Sequence, residues 1–127
     1  MADTPAPTGL ADPLPAGCEV CDLDDVADGG VRIIDVRVAQ RKVSLLVLRS
    51  GQFCYGYLNK CPHFGMPLSE TDRHLIFEPD RWLKCNVHYA RFRWQDGYCE
   101  AGDCEGDSLT PVPLTNISGK IVTGTPR

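Results

Sequence analysis

An all-β fold, a small antiparallel sandwich or barrel, is predicted by three features of the chain. Its apolar residues fall in short runs rich in Val, Ile and Leu, such as Val31–Val38 and Val43–Arg49. Gly-, Ser- and Asp-containing turn signals cut these runs at short intervals. No long stretch repeats its apolar residues at helical spacing. The length of 127 residues fits one domain. Hydrophobic residues at 43% and charged residues at 24% exclude wholesale disorder.

The elements follow in order. Residues 1–17 carry Pro5, Pro7, Pro13 and Pro15, no Lys or Arg and no apolar run. They are expected to form a flexible arm without a signal peptide, which places the chain in the cytoplasm. The folded domain is expected over 18–124, with 125–127 as a tail. Asp24–Asp28 suggests one helical turn. Val31–Val38, Val43–Arg49 and Phe53–Leu58 predict a three-strand meander, with Ser50-Gly51-Gln52 turning the last two. Trp82–Lys84, Arg91–Trp94 and Tyr98–Cys99 are further strands, the last two separated by Gln95-Asp96-Gly97. Leu114–Ile117 and Lys120–Val122 flank Ser118-Gly119 as a closing hairpin.

The net charge is −4, from 13 basic and 17 acidic residues. Nucleic acid rewards clustered Lys and Arg, and so do anionic membrane surfaces, so neither is an expected partner. Nothing approaches the roughly 20 apolar residues that a bilayer span needs. A mildly acidic surface serves solubility, or steering toward a basic protein. Seven cysteines in a reducing compartment read as thiols or metal ligands rather than disulfides.

Two segments interrupt the strand pattern, Cys61-Pro62-His63-Phe64-Gly65-Met66-Pro67-Leu68 and Cys85-Asn86-Val87-His88-Tyr89-Ala90. Each supplies one cysteine and one histidine, as C-x-H and C-x-x-H. Pro62, Gly65 and Pro67 mark the first as a stiff loop. Two such loops at one end of a sandwich can enclose a small inorganic centre. A structural zinc site accepts Cys₂His₂, but its common spacing pairs like with like. A two-iron cluster with Cys61 and Cys85 on one iron and His63 and His88 on the other suits the mixed pairs. Soft thiolates favour iron–sulfur chemistry, and two neutral imidazoles remove two negative charges, which eases reduction.

In type, order and pairing, Cys61-x-His63 with Cys85-x-x-His88 resembles the Rieske [2Fe–2S] motif. Leu68 after the first loop, and Ala90-Arg91-Phe92 and Asp96-Gly97 after the second, agree with it. The resemblance covers about Cys18 to Gly124. It implies a Rieske-like antiparallel β-sandwich with a small cluster-binding subdomain built from loops 61–68 and 85–90. It also implies one [2Fe–2S] cluster per chain, with the two histidines nearer the surface.

Rieske proteins of quinol-oxidising complexes carry a disulfide between the two loops, whereas Met66 and Val87 stand at the corresponding places here. They also place a serine just past the second histidine, where this chain has Ala90. A lost hydrogen bond toward the cluster lowers the potential, toward the −150 mV end of a range of about −150 to +300 mV. The chain therefore resembles the soluble, low-potential Rieske ferredoxins. In that group electrons pass from a flavin reductase through the ferredoxin to a terminal oxygenase. Tyr89 departs from a frequent glycine. Ser69–Asp80 is longer than a compact ferredoxin requires and is expected to form an additional hairpin, with His74 as an ordinary surface residue.

Cys18-x-x-Cys21 and Cys99-x₄-Cys104 together make a loose candidate for a second metal site, with free or buried thiols as the default. Cys54 reads as a small buried apolar residue. Phe92 and Trp94 read as core, while Phe64 and Tyr89 adjoin the candidate ligands. No Ser-His-Asp set, carboxylate pair or phosphate-cradling loop stands out. The resulting expectation is a monomeric one-electron carrier, not an enzyme, serving an oxygenase or another redox enzyme. A redox-sensing or interaction subunit and a structural zinc domain are the alternatives.

Overall fold

The computed structural model describes residues 17–38, 41–60, 69, 75–84, 90–102 and 106–124. Among the described residues, ten strands form three antiparallel sheets. In chain order they are β1 (Glu19–Asp22), β2 (Val31–Val38), β3 (Arg41–Ser50), β4 (Phe53–Leu58) and β5 (Ile76–Glu78). They continue with β6 (Trp82–Lys84), β7 (Arg91–Arg93), β8 (Cys99–Ala101), β9 (Leu114–Ile117) and β10 (Lys120–Thr123). The sheets have the orders β1-β10-β9, β2-β3-β4 and β5-β6-β7-β8.

The β2-β3-β4 sheet is central, and β3 shows why. Leu45, Leu46, Val47 and Leu48 are all fully buried, although side chains alternate between faces along a strand. Leu46 and Leu48 join Val31, Tyr57, Leu83, Ala90, Phe92, Trp94 and Cys99 in one core, shared with the β5–β8 sheet. Leu45 and Val47 join Leu23, Val26, Val36, Cys54, Val112, Leu114 and Ile121 in a second, shared with β1-β10-β9. An uninterrupted apolar run is what a strand covered on both faces requires.

The turns are chemically specified. Ser50 pairs with Phe53 across Gly51-Gln52, and Ile117 pairs with Lys120 across Ser118-Gly119. In the second turn both central residues have positive φ, +52° and +91°, the signature of a type I′ hairpin. Tyr57 ties the sheets together: its hydroxyl donates to the Trp94 carbonyl at 2.6 Å. Burial, with a smaller contribution from Asp96, pushes that phenol well above its ordinary pKa.

The expected strands are present, with end adjustments: β3 is longer at both ends, and Trp94 opens a turn rather than closing β7. Two strands were not expected. β1 has only Val20 as a β-branched residue, but pairs with β10 while Lys120 reaches Glu19 at 3.3 Å and Asp22 at 2.8 Å. β5 is three residues long and pairs with β6 in a hairpin over 76–84; residues 70–74 of the segment expected to form an additional hairpin lie outside the described residues. The helical turn expected at Asp24–Asp28 is instead a 3₁₀ turn over Leu23–Asp25. Leu23 is buried there, and the Asp25 carboxylate accepts from the Asp22 N–H at 2.9 Å.

Candidate metal centre

Cys61, His63, Cys85 and His88 lie outside the described residues, as do Phe64, Met66, His74, Val87, Tyr89 and Cys104. The described residues show how both candidate segments are anchored.

Residues 61–68 follow β4. Past Leu58 the chain stays tied to β3, with the Asn59 N–H donating to the Ser44 carbonyl at 3.0 Å. The Asn59 side chain is buried, and its Nδ2 donates to Ser44 Oγ at 3.2 Å and to the Ser69 carbonyl at 2.9 Å. Residues 59 and 69 therefore meet through one amide, which closes the base of the 61–68 excursion. Asn suits this position because its amide nitrogen carries two N–H donors, enough for both acceptors.

Residues 85–89 join β6 to β7. Lys84 and Arg91 are cross-strand partners, as are Leu83 and Phe92, so this excursion also starts and ends at one place. Ala90 is fully buried in the first core beside Leu83 and Phe92. Gly102 has φ +103°, and a Cβ there would stand 2.6 Å from the Ala90 Cα. Only glycine fits against Ala90. The register of β7 on β8 shifts between Arg91 and Phe92, and such bulges re-aim the chain beside functional sites.

The donor set fits an iron–sulfur centre: two thiolates and two imidazoles, one of each from either closed excursion. Sequence reasoning did not pick out Asn59, Ser69 or Gly102. An asparagine two residues before the first cysteine was the available signal for the first.

The other cysteines separate. Cys21 is half-buried against the second core while Cys99 is buried in the first, so the proposed pairing of the two motifs spans different cores. Cys18, Cys21 and Cys54 are free thiols, and the buried Cys99 thiol donates to the Ala101 carbonyl at 3.2 Å. Burial, with Cys54, Asp25 and Asp22 adding to it, pushes the Cys21 thiol up to about 11. Cys54 is buried, as expected, and its thiol is also raised by burial. Phe92 and Trp94 are fully buried in the core, and the Trp94 indole N–H donates to the Trp82 carbonyl at 3.0 Å.

These features define an all-β domain with two closed excursions carrying a Cys/His pair each. The family model of the Rieske [2Fe-2S] domain matches residues 17–115, and the chain belongs to that family, whose domain binds a [2Fe–2S] cluster. No curated protein matches the chain. Among solved structures it is similar to the ferredoxin of carbazole 1,9a-dioxygenase from Nocardioides aromaticivorans IC177. The identity is 20% and the TM-score 0.69, over 88% of this chain and all of that one. It is also similar to the Sphingomonas yanoikuyae B1 ferredoxin, at 18% identity and TM-score 0.67, over 87% and 99% of the two chains. The terminal oxygenase of carbazole 1,9a-dioxygenase from Novosphingobium sp. KA1 matches at 19% identity and TM-score 0.66. That match covers 86% of this chain but only 31% of the oxygenase. These likenesses fix the fold. Among the described residues, no helix is long and apolar enough to cross a membrane.

Proposed function

We propose that the chain is a one-electron carrier that takes electrons from a flavin reductase and delivers them to a terminal oxygenase. It acts as a cytoplasmic monomer. Cys61 and Cys85 would hold one iron of the cluster, and His63 and His88 the other. The observation that carries this reading is the ordered Cys/His quartet, divided between two anchored excursions of a Rieske-family domain. When bound, the cluster supplies a one-electron couple and offers no open coordination position for substrate.

The chain's own residues do the rest. Asn59 and the β6–β7 pairing fix the bases of the two ligand-bearing segments. Ala90 withholds a hydrogen bond that would favour the reduced form, which keeps the potential low. The solved carbazole 1,9a-dioxygenase complexes pair an oxygenase with a ferredoxin, and the likeness in fold supports the same direction of transfer here. A monomer suits a carrier that docks through a small, transient face.

Iron analysis and a redox titration of anaerobically purified protein test the assignment. Two irons and a reversible one-electron step near −150 mV are expected, lost together in Cys61→Ala or His88→Ala. One zinc in place of iron, or full retention of the signal in both variants, refutes it. A single symmetric species on size exclusion checks the monomer.

A further inference from the structure

We propose that the segment Leu10-Ala11-Asp12-Pro13-Leu14-Pro15 of this chain seats in an apolar groove along β4, as an extended proline-rich ligand of its own domain. The groove encloses about 230 Å³. One wall is the face of β4 that carries Phe53, Tyr55 and Tyr57, which alternation places on the same side. The other wall is the segment that leads into β9. There the Val112 N–H donates to the Gly56 carbonyl at 2.8 Å and Tyr57 bridges Pro111, so Pro111 and Pro113 run antiparallel beside the tyrosines. Phe53 stands 53% exposed and meets the Tyr55 ring edge-on, with 4.7 Å between ring centres. Among the described residues no charged side chain lines the groove, and none of its residues belongs to 61–68 or 85–89. It is therefore separate from the proposed cluster site.

The position of Gly17 points to the occupant. The Gly17 N–H donates to the Thr123 carbonyl at 2.8 Å, and Thr123 pairs with Leu114, which lines the groove. The Gly124 N–H in turn donates to the Pro113 carbonyl at 2.9 Å. Gly17 thus lies two strand spacings, about 10 Å, from the groove. β1 and β9 both run antiparallel to β10, so a chain continued backward from Gly17 along β1 runs in the direction that leads from Leu114 to Pro111. At about 3.1 Å per residue of polyproline II, Leu14 reaches about 9 Å from Gly17 and Leu10 about 22 Å, which spans the approach and the groove. Leu10 and Leu14 are the only branched aliphatic residues before Gly17, and that stretch has no Lys or Arg. Polyproline II segments dock in aromatic-lined grooves because little conformational freedom is left to lose. At three residues per turn, Leu10 and Pro13 share one edge of such a helix and Ala11 and Leu14 the next, while Asp12 falls on the third. Two apolar edges can then face the groove with the carboxylate in water. Seated there, the segment covers Phe53 and removes an apolar face from solvent.

The test is cleavage of the full-length protein by an endoproteinase that cuts before aspartate, with the free peptide of residues 1–17 as reference and the products read by mass spectrometry. At an effective concentration of about 1 mM, a groove with a Kd of about 0.1 mM is occupied about ten to one, so the Ala11–Asp12 bond should be cut about tenfold more slowly than in the peptide. The Ala2–Asp3 bond, outside the seated segment, should be cut at the peptide's rate and serves as the internal standard. Leu14→Ser on the segment and Phe53→Thr at its exposed strand position should each return the Ala11–Asp12 rate to within twofold of the peptide's. Tryptophan fluorescence checks that both variants keep the fold, and Leu14→Ser stands alone if Phe53→Thr does not. Cleavage of wild type at the peptide's rate overturns the proposal. So does protection that survives in the folded variants, which is then only nearness to the domain. Protection that grows with protein concentration seats the segment in a second copy and overturns it as well. An unprotected wild type in which added decaproline shifts the Phe53 and Tyr55 ring resonances gives the groove to another protein's segment, and the proposal falls.

Discussion

Replacing Asn59 with alanine should loosen the first ligand-bearing segment without touching a ligand. The substitution removes two side-chain hydrogen bonds, at 3.2 Å to Ser44 Oγ and 2.9 Å to the Ser69 carbonyl. Each is worth about 1 kcal/mol net, and a buried site offers no water to replace them freely, so the expected loss is about 2 kcal/mol. If local opening at this base governs escape of the cofactor, that loss raises the open population about thirtyfold. The assay is bleaching of the visible absorbance in excess chelator, with fluorescence of Trp82 and Trp94 followed in urea on the same samples. Bleaching should accelerate by about that factor. Asn59→Asp should be worse than alanine, because it directs a carboxylate at the Ser69 carbonyl and loses both donors. Bleaching within twofold of wild type for Asn59→Ala, or an aspartate variant as slow as wild type, would refute the clamp.

The remaining predictions are as follows. Gly102→Ala places a methyl 2.6 Å from the Ala90 Cα at φ +103°; overpacking and strain together should cost about 2–4 kcal/mol, read as a depressed melting temperature. Tyr57→Phe forfeits a 2.6 Å hydrogen bond, about 1–1.5 kcal/mol by urea titration near neutral pH. Because the Tyr57 pKa is raised in the folded state, its contribution is complete below the unfolded phenol pKa of about 10 and is lost as pH climbs above it, so the variant should show a flatter alkaline decline in stability. The Cys21 thiol, raised from 9.0 to about 11, should alkylate at pH 8 about a hundredfold more slowly than an unperturbed thiol, checked by mass spectrometry of iodoacetamide-treated protein. Ala90→Ser should raise the reduction potential by about 40–90 mV if its hydroxyl gains about 1–2 kcal/mol more from the reduced form; an unchanged potential in a folded variant would place residue 90 out of reach of the cluster.

The division between what the sequence revealed and what it hid is physical. Strands such as Val31–Val38 and Phe53–Leu58 were legible because β-branched and aromatic runs ended at turn residues. The candidate ligands were legible because thiol and imidazole at fixed spacing have few competing roles. β1 and β5 were not, since four and three residues carry too little pattern; their pairing with β10 and β6 supplies what intrinsic preference does not. The clamp was hidden for a different reason. Asn59 acts on a main-chain carbonyl ten residues away, and Gly102 on the backbone of Ala90 twelve residues away. Neither partner has a side-chain type that advertises the contact.

The two excursions are closed by unlike means, and this bears on how a cluster would be held. A buried amide closes the first at the end of the central sheet. Strand pairing and a bulge close the second in the β5–β8 sheet. The two sheets share one core, from Leu46 and Tyr57 to Leu83 and Phe92, so the bases of the excursions stand on one packed body. Under the proposed assignment each iron takes one ligand from each excursion, and neither excursion alone can retain an iron. Disturbing either base then releases the whole group rather than half of it. Asn59→Ala and Gly102→Ala should therefore fail in the same way, by loss of the entire cluster signal. Because a group bound only by the folded chain stabilises it by mass action, each variant should lose further stability once its cluster has gone.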